Sequence, residues 1–217
     1  MGERKPMIVE PVTLEGRFVR MEPLSLDHVD ALSEVGLEPS LWTWIPTPVR
    51  TPAEMRQYVE IALAERDAGR ALPFATIDRA SGRVVGSSRY AAISVPDRRV
   101  EIGWTWIGAP WQRTYINTEA KLLMLRHAFE QWDCLRVELK TDGLNQRSRA
   151  AIARIGATQE GIFRQHMITA SGRVRDTVYF SILDTEWPVV RERLTARLDA
   201  GELAHPESKI SRMSTDV

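Results

Sequence analysis

Apolar and polar residues alternate along several short stretches of the 217-residue chain. Alternation is typical of strands, because successive side chains of a strand point to opposite faces. It predicts strands at residues 14–24, 72–78, 84–93, 100–107, 137–140, 161–169 and 173–183. Turn-forming sequences at residues 80–82 and 171–172 separate two pairs of these strands and predict hairpins.

Other stretches place apolar residues three or four positions apart, a spacing that predicts amphipathic helices. Such helices are predicted over residues 25–36, 51–69, 118–131 and 186–199. The second has a clear start, because Thr51 can cap it, Pro52 suits its first position and Glu54 completes a capping box.

Residues 137–161 combine a short strand, a polar turn, a helix of small apolar residues and a second extended run. Asn145 can cap this helix, and Gly156 suits its end. Ser148 follows Asn145 by one turn and shares its face of the helix. On local grounds the two residues are a cap and a solvated serine, or two polar groups that face a ligand.

The order of all these elements predicts an α/β fold of the α+β kind, with a hairpin-rich first half and a β-α-β second half. We expect a single domain over residues 1–200, because no linker or internal repeat interrupts the pattern. Residues 201–217 carry few apolar side chains and are predicted to form a flexible tail.

The 137–161 stretch resembles the last motif of the GNAT acyl-CoA N-acyltransferase superfamily, in particular the branch of the ribosomal-protein N-terminal acetyltransferases. The matching residues, at fixed spacing, are Asn145, Ser148, Ala151, Ile152, Arg154, Gly156, Ala157, Glu160 and Gly161. The resemblance extends along most of residues 14–183. It implies a mixed, mostly antiparallel sheet of about seven strands, flanked by helices and splayed near its middle, with acyl-CoA in the opening.

The resemblance also implies a CoA site where the strand at residues 100–107 leads into the next helix. A helix N-terminus offers unpaired amides and a positive dipole end, which suit a pyrophosphate. The cofactor residues implied there are Trp106, Ile107, Gln112, Arg113, Thr114, Tyr115, Ile116, Asn117 and Thr118. Tyr115 and Asn117 stand where the family has small residues, so it stays open whether Asn117 is only a cap and Arg113 only solvated.

By the same resemblance, Asn145 bonds the pantetheine or phosphate part of CoA, and Ser148 lies near its sulfur and protonates the departing thiolate. An amine must be neutral to attack a thioester, so a base must accept its proton. Glu101 and His166 are the candidates for the base, with a surface charge and an ordinary sheet residue as the alternatives.

For the acceptor, the resemblance points to the loop that carries Trp42 and Trp44, where an aromatic wall would suit an apolar substrate. Arg164 is a further candidate for acceptor binding. The alternative for Arg164 is an ion pair within the hairpin that also contains Arg173 and Asp176.

The amino-acid composition limits the partners and cofactors that we expect for the protein. Lys plus Arg and Asp plus Glu both number 29, so no net charge favours nucleic acid or a membrane surface. The single cysteine, Cys134, excludes an intramolecular disulfide and is expected to be a small buried residue, and the four histidines lack metal-ligand spacing. We therefore expect a cytoplasmic protein without a metal; a homodimer stays open.

Together these observations predict an N-acetyltransferase that moves an acetyl group from acetyl-CoA to a primary amine by direct attack in a ternary complex. The acceptor is a small-molecule amine or a protein N-terminus. Two alternatives stay open: another acyl-CoA such as succinyl-CoA as donor, and a non-catalytic acyl-CoA sensor, which the altered phosphate loop favours.

Overall fold

The computed structural model describes residues 6–200, so the predicted tail at residues 201–217 lies outside the described part of the chain. Within that part, the strands are β1 (Leu14–Glu15), β2 (Val19–Pro23), β3 (Leu72–Asp78), β4 (Val84–Ser94), β5 (Arg99–Ile107), β6 (Arg136–Asp142), β7 (Thr158–Ile168) and β8 (Val174–Leu183). The α-helices are α1 (Val29–Gly36), α2 (Pro52–Asp67), α3 (Tyr115–Arg126), α4 (Gln146–Arg154) and α5 (Trp187–Asp199). This order confirms the predicted α/β fold.

All of these strands belong to one sheet in the order β1-β2-β3-β4-β5-β6-β8-β7. Every neighbouring pair is antiparallel except β5 and β6, which run parallel. The mixed, mostly antiparallel sheet is therefore confirmed. The strand beyond the expected seven arises because a turn at Gly16, whose amide donates to the carbonyl of Val19 (2.8 Å), divides the predicted first strand into β1 and β2.

The two faces of the sheet carry separate hydrophobic cores. Phe74 and Ala75 are neighbours on β3, yet Phe74 packs in the core that contains α3 and α5, and Ala75 packs in the core under α1 and α2. This is the alternation that a strand buried on both faces requires. No helix within residues 6–200 combines the length and apolar character needed to cross a membrane.

Helix α3 begins at Tyr115, three residues before the predicted start. The reason is a cap that the sequence analysis did not identify: the Thr114 hydroxyl accepts the amide of Ile116 (3.3 Å) and donates to the carbonyl of Trp111 (2.6 Å). After Arg126 the helix continues as a π-helical turn, His127–Gln131.

Glu119 fastens α3 to the start of the sheet. Its carboxylate is buried and accepts the backbone amides of Arg17 (2.8 Å), Phe18 (2.6 Å) and Val19 (2.6 Å). Three charge-assisted bonds from one carboxylate satisfy the amides of the β1–β2 turn, which have no strand partner at this point.

Candidate active site

The sheet opens between β5 and β6. These strands pair only where Arg99, Val100 and Glu101 lie opposite Arg136, Val137 and Glu138. Beyond Glu101, β5 pairs with β4, and β6 pairs with β8. One edge of β5 therefore faces a gap whose other wall is β6, and an extended ligand can add to such an edge through main-chain bonds.

A β-bulge interrupts β5 inside this gap. Trp104 and Thr105 together lie opposite Ser88, between the pairs Arg89–Gly103 and Ser87–Trp106. Trp104 has φ +52°, which is rare for an aromatic residue. Bulges of this kind redirect the groups of a strand and occur often at functional sites.

Gly86 is required beside the bulge. A β-carbon at this position would overlap the carbonyl oxygen of Trp106 on the adjacent strand. Glycine therefore permits the close approach of β4 and β5 at the point where the bulge ends.

Helices α3 and α4 both begin at the open end of the gap between β5 and β6, which we call its mouth. Asn145 caps α4 by accepting the amide of Ser148 (3.0 Å), as predicted. Gln112 donates to the carbonyl of Ile107 (2.9 Å) and accepts from Arg147 of α4 (3.0 Å), which brings the starts of α3 and α4 together. Two helix N-termini at one mouth supply unpaired amides and positive dipole ends, which suit phosphate groups.

The loop before α3 has its left-handed backbone conformation at a different position from the small residues of the family pattern. Its left-handed residue is Arg113, with φ +60° and an exposed side chain, and neither Tyr115 nor Asn117 has a positive φ. The Tyr115 side chain is buried and its hydroxyl donates to Asp78 (3.1 Å). Several other predicted cofactor residues are also buried: Trp106, Ile107, Thr114, Ile116 and Thr118.

Glu101 lies at the apex of the gap, the point where β5 and β6 separate, because Glu101 and Glu138 are the last residues at which these strands pair. Its buried carboxylate accepts a hydrogen bond from Lys140 of β6 (2.8 Å). Lys140 lies opposite Tyr179 of β8, and its ammonium is 5.9 Å from the centre of that ring. The charged pair thus bridges the two strands at the point where they separate.

His166 lies further out on the same face, exposed on β7. Its ring contacts those of Phe163 (5.3 Å between centroids) and Tyr179 (5.9 Å). The two predicted bases therefore lie on one face, with Glu101 at the apex and His166 at the rim.

The two tryptophans predicted to bind the acceptor have different surroundings. Trp42 is buried in the core under α1 and α2, and its indole nitrogen donates to the carbonyl of Gly36 (2.7 Å). Trp44 is partly exposed and lies against the guanidinium of Arg173 (5.7 Å), which also pairs with Asp142 of β6. The loop of Trp44 thus reaches across the sheet toward the β7–β8 hairpin.

Arg164 is exposed on β7. The alternative of an ion pair within the hairpin is wrong: Asp176 accepts the amide of Gln165 (2.7 Å), and Arg173 pairs with Asp142. The reason is that Arg173 lies close enough to the buried Asp142 to pair outside the hairpin. Arg164 remains a candidate for acceptor binding.

This architecture matches known proteins. A profile of the family described as "Acetyltransferase (GNAT) domain" matches residues 19–158. A GCN5-related N-acetyltransferase from Brucella melitensis is 37% identical, with a TM-score of 0.81 over 88% of this chain and 86% of that chain. The chain belongs to the GNAT acetyltransferase family.

Two further relatives carry names that refer to ribosomal proteins or to CoA. "Putative ribosomal N-acetyltransferase YdaF" of Bacillus subtilis (strain 168) is 35% identical over 91 residues, which are 42% of this chain and 49% of YdaF. The match thus spans about half of that curated relative. Mycobacterium smegmatis RimJ, solved in complex with CoA-disulfide, is 25% identical, with a TM-score of 0.75 over 86% of this chain and 94% of RimJ.

Within this GNAT enzyme, Glu160 of the recognised motif has a structural role. Arg136 of β6 donates to it through both terminal nitrogens, and the Ser181 hydroxyl of β8 donates to it as well (2.8 Å). The bond to Arg136 lowers the pKa of Glu160 to about 2. Glu160 thus links β7 to its neighbour β8 and, beyond β8, to β6.

Cys134 is buried, as predicted, and burial raises the pKa of its thiol to about 12. The nucleophilic form of a cysteine is the thiolate, so Cys134 stays unreactive near neutral pH.

Lys121 is a buried cation that the sequence analysis missed. Its ammonium donates to the hydroxyls of Thr105 in the bulge (2.6 Å) and Ser88 opposite (3.3 Å). Burial lowers its pKa from 10.5 to about 7. The available signal was its position between Ala120 and Leu122, inside an otherwise apolar part of α3.

We expect the stability of this GNAT enzyme, relative to its Lys121→Met variant, to rise with pH. The folded pKa of Lys121 is about 7 and the unfolded value 10.5, so between these values the unfolded chain binds more protons. The unfolding free energy of the wild type should gain about 2 kcal/mol on the variant from pH 7 to pH 9. Urea unfolding at three pH values measures this. Leu123→Met is the control, and its difference in unfolding free energy from the wild type should not change with pH. If the difference for Lys121→Met were also independent of pH, the expectation would be contradicted.

Proposed function

We propose that this GNAT enzyme transfers an acetyl group from acetyl-CoA to a primary amine, with a protein N-terminus as the acceptor. The observation that carries the proposal is the gap between β5 and β6, which has an unpaired strand edge along one wall and two helix N-termini at its mouth. The name of YdaF, a putative ribosomal N-acetyltransferase, supports a ribosomal-protein acceptor.

The residues at the mouth fit acetyl-CoA. Its phosphates would meet the amides at the start of α3 and the exposed guanidinium of Arg113. Asn145 uses its side-chain oxygen as the cap of α4, which leaves its amide group to donate to the pantetheine arm. The chemistry supplied by acetyl-CoA is an acetyl group activated as a thioester.

The transfer needs two proton movements. The amine nitrogen bonds to the carbonyl carbon, the carbon–sulfur bond breaks, the amine loses a proton and the thiolate gains one. Glu101 accepts the proton of the amine, directly or through water, because its carboxylate lies at the apex of the gap. Backbone amides beside the bulge, near Trp106, polarise the carbonyl oxygen. Ser148 protonates the thiolate.

The proposal is tested by following thiol release from acetyl-CoA with a panel of peptides and small amines, and by locating the acetyl group with mass spectrometry. We expect acetylation of peptide α-amines. Acetylation of small amines alone would overturn the protein acceptor, and faster turnover with succinyl-CoA would overturn the donor. Thermal stabilisation by CoA without turnover on any amine would identify a sensor instead.

Ser148→Ala is expected to lower kcat by roughly tenfold to a hundredfold and to leave KM for acetyl-CoA nearly unchanged. The Ser148 hydroxyl makes no hydrogen bond to other residues of the described chain, so it is available at the start of α4. It would meet negative charge only as the carbon–sulfur bond breaks, which confines its effect to the transition state. Steady-state kinetics measure both constants. Unaltered turnover would reduce Ser148 to a packing role.

A further inference from the structure

Arg89 lies next to the proposed acetyl-transfer centre, on β4. It is the Cα partner of Gly103, and Ala91, two residues further on, is the partner of Glu101. Residues two apart on a strand share a face, so Arg89 and Glu101 lie on the same face of the sheet. Arg89 is therefore one strand away from the apex, on the side from which Glu101 would meet the acceptor.

The guanidinium of Arg89 contacts two aromatic rings. Its central carbon is 4.8 Å from the ring centre of Trp104, in the bulge, and 5.2 Å from that of Tyr58, on α2. Aromatic rings cover the faces of a guanidinium, whereas its five N–H donors lie in its plane. The two ring contacts position the guanidinium without using its N–H donors, which stay available to an acceptor.

Arg89 has no carboxylate within ion-pair distance among residues 6–200. The residue is only 3% exposed, its Nε is buried without a hydrogen-bond partner, and it forms no ion pair there. Glu65 of α2 interacts with Arg89 electrostatically, but both of its oxygens bond Arg70 (2.9 and 2.8 Å). A buried charge normally requires a partner, so the isolation of Arg89 calls for an explanation.

The other cations on this face are paired. Lys140 donates to Glu101, and Arg173 pairs with Asp142. The Nε of Arg175 is 3.8 Å from the same carboxylate of Asp142. Lys140, Arg173 and Arg175 thus share two carboxylates, whereas no ion pair within residues 6–200 includes Arg89. A buried cation without an ion pair favours an anionic ligand.

We propose that Arg89 binds a carboxylate group of the acceptor, adjacent to the amine that is acetylated. The inference rests on the proposed function, because it assigns the acceptor's carboxylate to the face that bears Glu101. Arginine suits this role because its donor fork matches the two oxygens of a carboxylate. The carboxylate is either the acidic side chain of one of the first two residues of a peptide or the α-carboxylate of an amino acid.

The test compares acceptors that differ only between carboxylate and amide. The peptide arm pairs Ala-Asp with Ala-Asn and Asp-Ala with Asn-Ala at the start of one pentapeptide. The amino-acid arm pairs alanine with alaninamide. Each pair is measured by kcat/KM for acetyl transfer and, separately, by calorimetric affinity in the presence of CoA, so a preference is read even if no transfer occurs.

The wild type should favour the carboxylate member by roughly tenfold to a hundredfold in at least one arm, and that arm identifies the source of the carboxylate. Arg89→Gln should remove the preference, and Arg89→Lys should keep part of it, since lysine retains the charge but not the fork. Melting temperature and CoA affinity show that each variant is folded. The matched control is Arg83→Gln: Arg83 also stacks on a tryptophan, Trp111 (5.2 Å), but is exposed and paired with Glu34 (3.5 Å).

Equal affinity for both members of every pair in the wild type would overturn the inference. A preference that persists in Arg89→Gln would overturn it as well, because another cation would then be responsible. Failure of the proposed function would give a different result. No acceptor would then be acetylated, while the calorimetric preference for the carboxylate member and its dependence on Arg89 would remain.

Discussion

Glu119→Ala is expected to lower the free energy of unfolding by about 3–5 kcal/mol, the largest effect on stability that we predict. The buried carboxylate accepts three backbone amides, from Arg17, Phe18 and Val19. Alanine would leave all three without a partner, and each unsatisfied buried donor costs about 1–3 kcal/mol. We expect a loss below the upper end of the summed costs of the three amides, because water can reach the two amides that are only partly buried.

Denaturant unfolding of three variants, each compared with the wild type, measures this effect. Glu119→Gln retains one oxygen acceptor and should lose less stability than Glu119→Ala. Glu34→Ala is the matched control, since Glu34 is an exposed carboxylate with a surface ion pair to Arg83, and it should change stability by less than about 0.5 kcal/mol. If the alanine variants at positions 34 and 119 lost equal amounts, the three bonds to Glu119 would not hold the β1–β2 turn.

Glu101→Gln is expected to lower kcat at pH 7 by about a hundredfold, the largest effect on activity that we predict. Glutamine keeps the shape of the side chain and can still accept the hydrogen bond of Lys140, but it cannot take a proton. The loss should shrink as the pH rises to 9, because the α-amine of a peptide, with a pKa of about 8, then becomes neutral without help.

The pH–rate profile of acetyl transfer measures this change. The control is Glu138→Gln, because Glu138 lies opposite Glu101 on β6 but pairs with Arg99 and Arg136. This variant should keep the wild-type profile. A Glu101→Gln profile parallel to that of the wild type would transfer the role of base to His166 or to solvent.

Most elements of the fold could be predicted because their signals are local. Thr51, Pro52 and Glu54 form the predicted capping box of α2, and β3 covers the predicted residues. Asn145 caps α4 as predicted, and Gly156 ends it with φ +100°. Caps and alternation act between residues that are close in the chain, so the sequence displays both partners.

The boundaries that differ depend on distant contacts. Helix α3 begins early because the Thr114 cap is joined by the Tyr115 side chain, which stacks on Phe18 (4.5 Å) and bonds Asp78. Phe18 and Asp78 lie on other strands or turns, far away in the sequence. A pattern of apolar residues cannot show which of several polar residues will be the cap when packing decides between them.

The residues of the candidate site also divide into those that the sequence identified and those whose surroundings only the tertiary structure decided. The motif that contains Asn145 and Ser148 is contiguous, so the sequence by itself determined the family resemblance and the start of α4. The surroundings of Glu101, Lys121 and Arg89 were decided by tertiary structure, because their partners come from other elements: Lys140 of β6, the hydroxyls of two strands, and the rings of α2 and the bulge. A sequence shows that a charge exists, but only the folded chain determines which charges become buried and which of them find a partner.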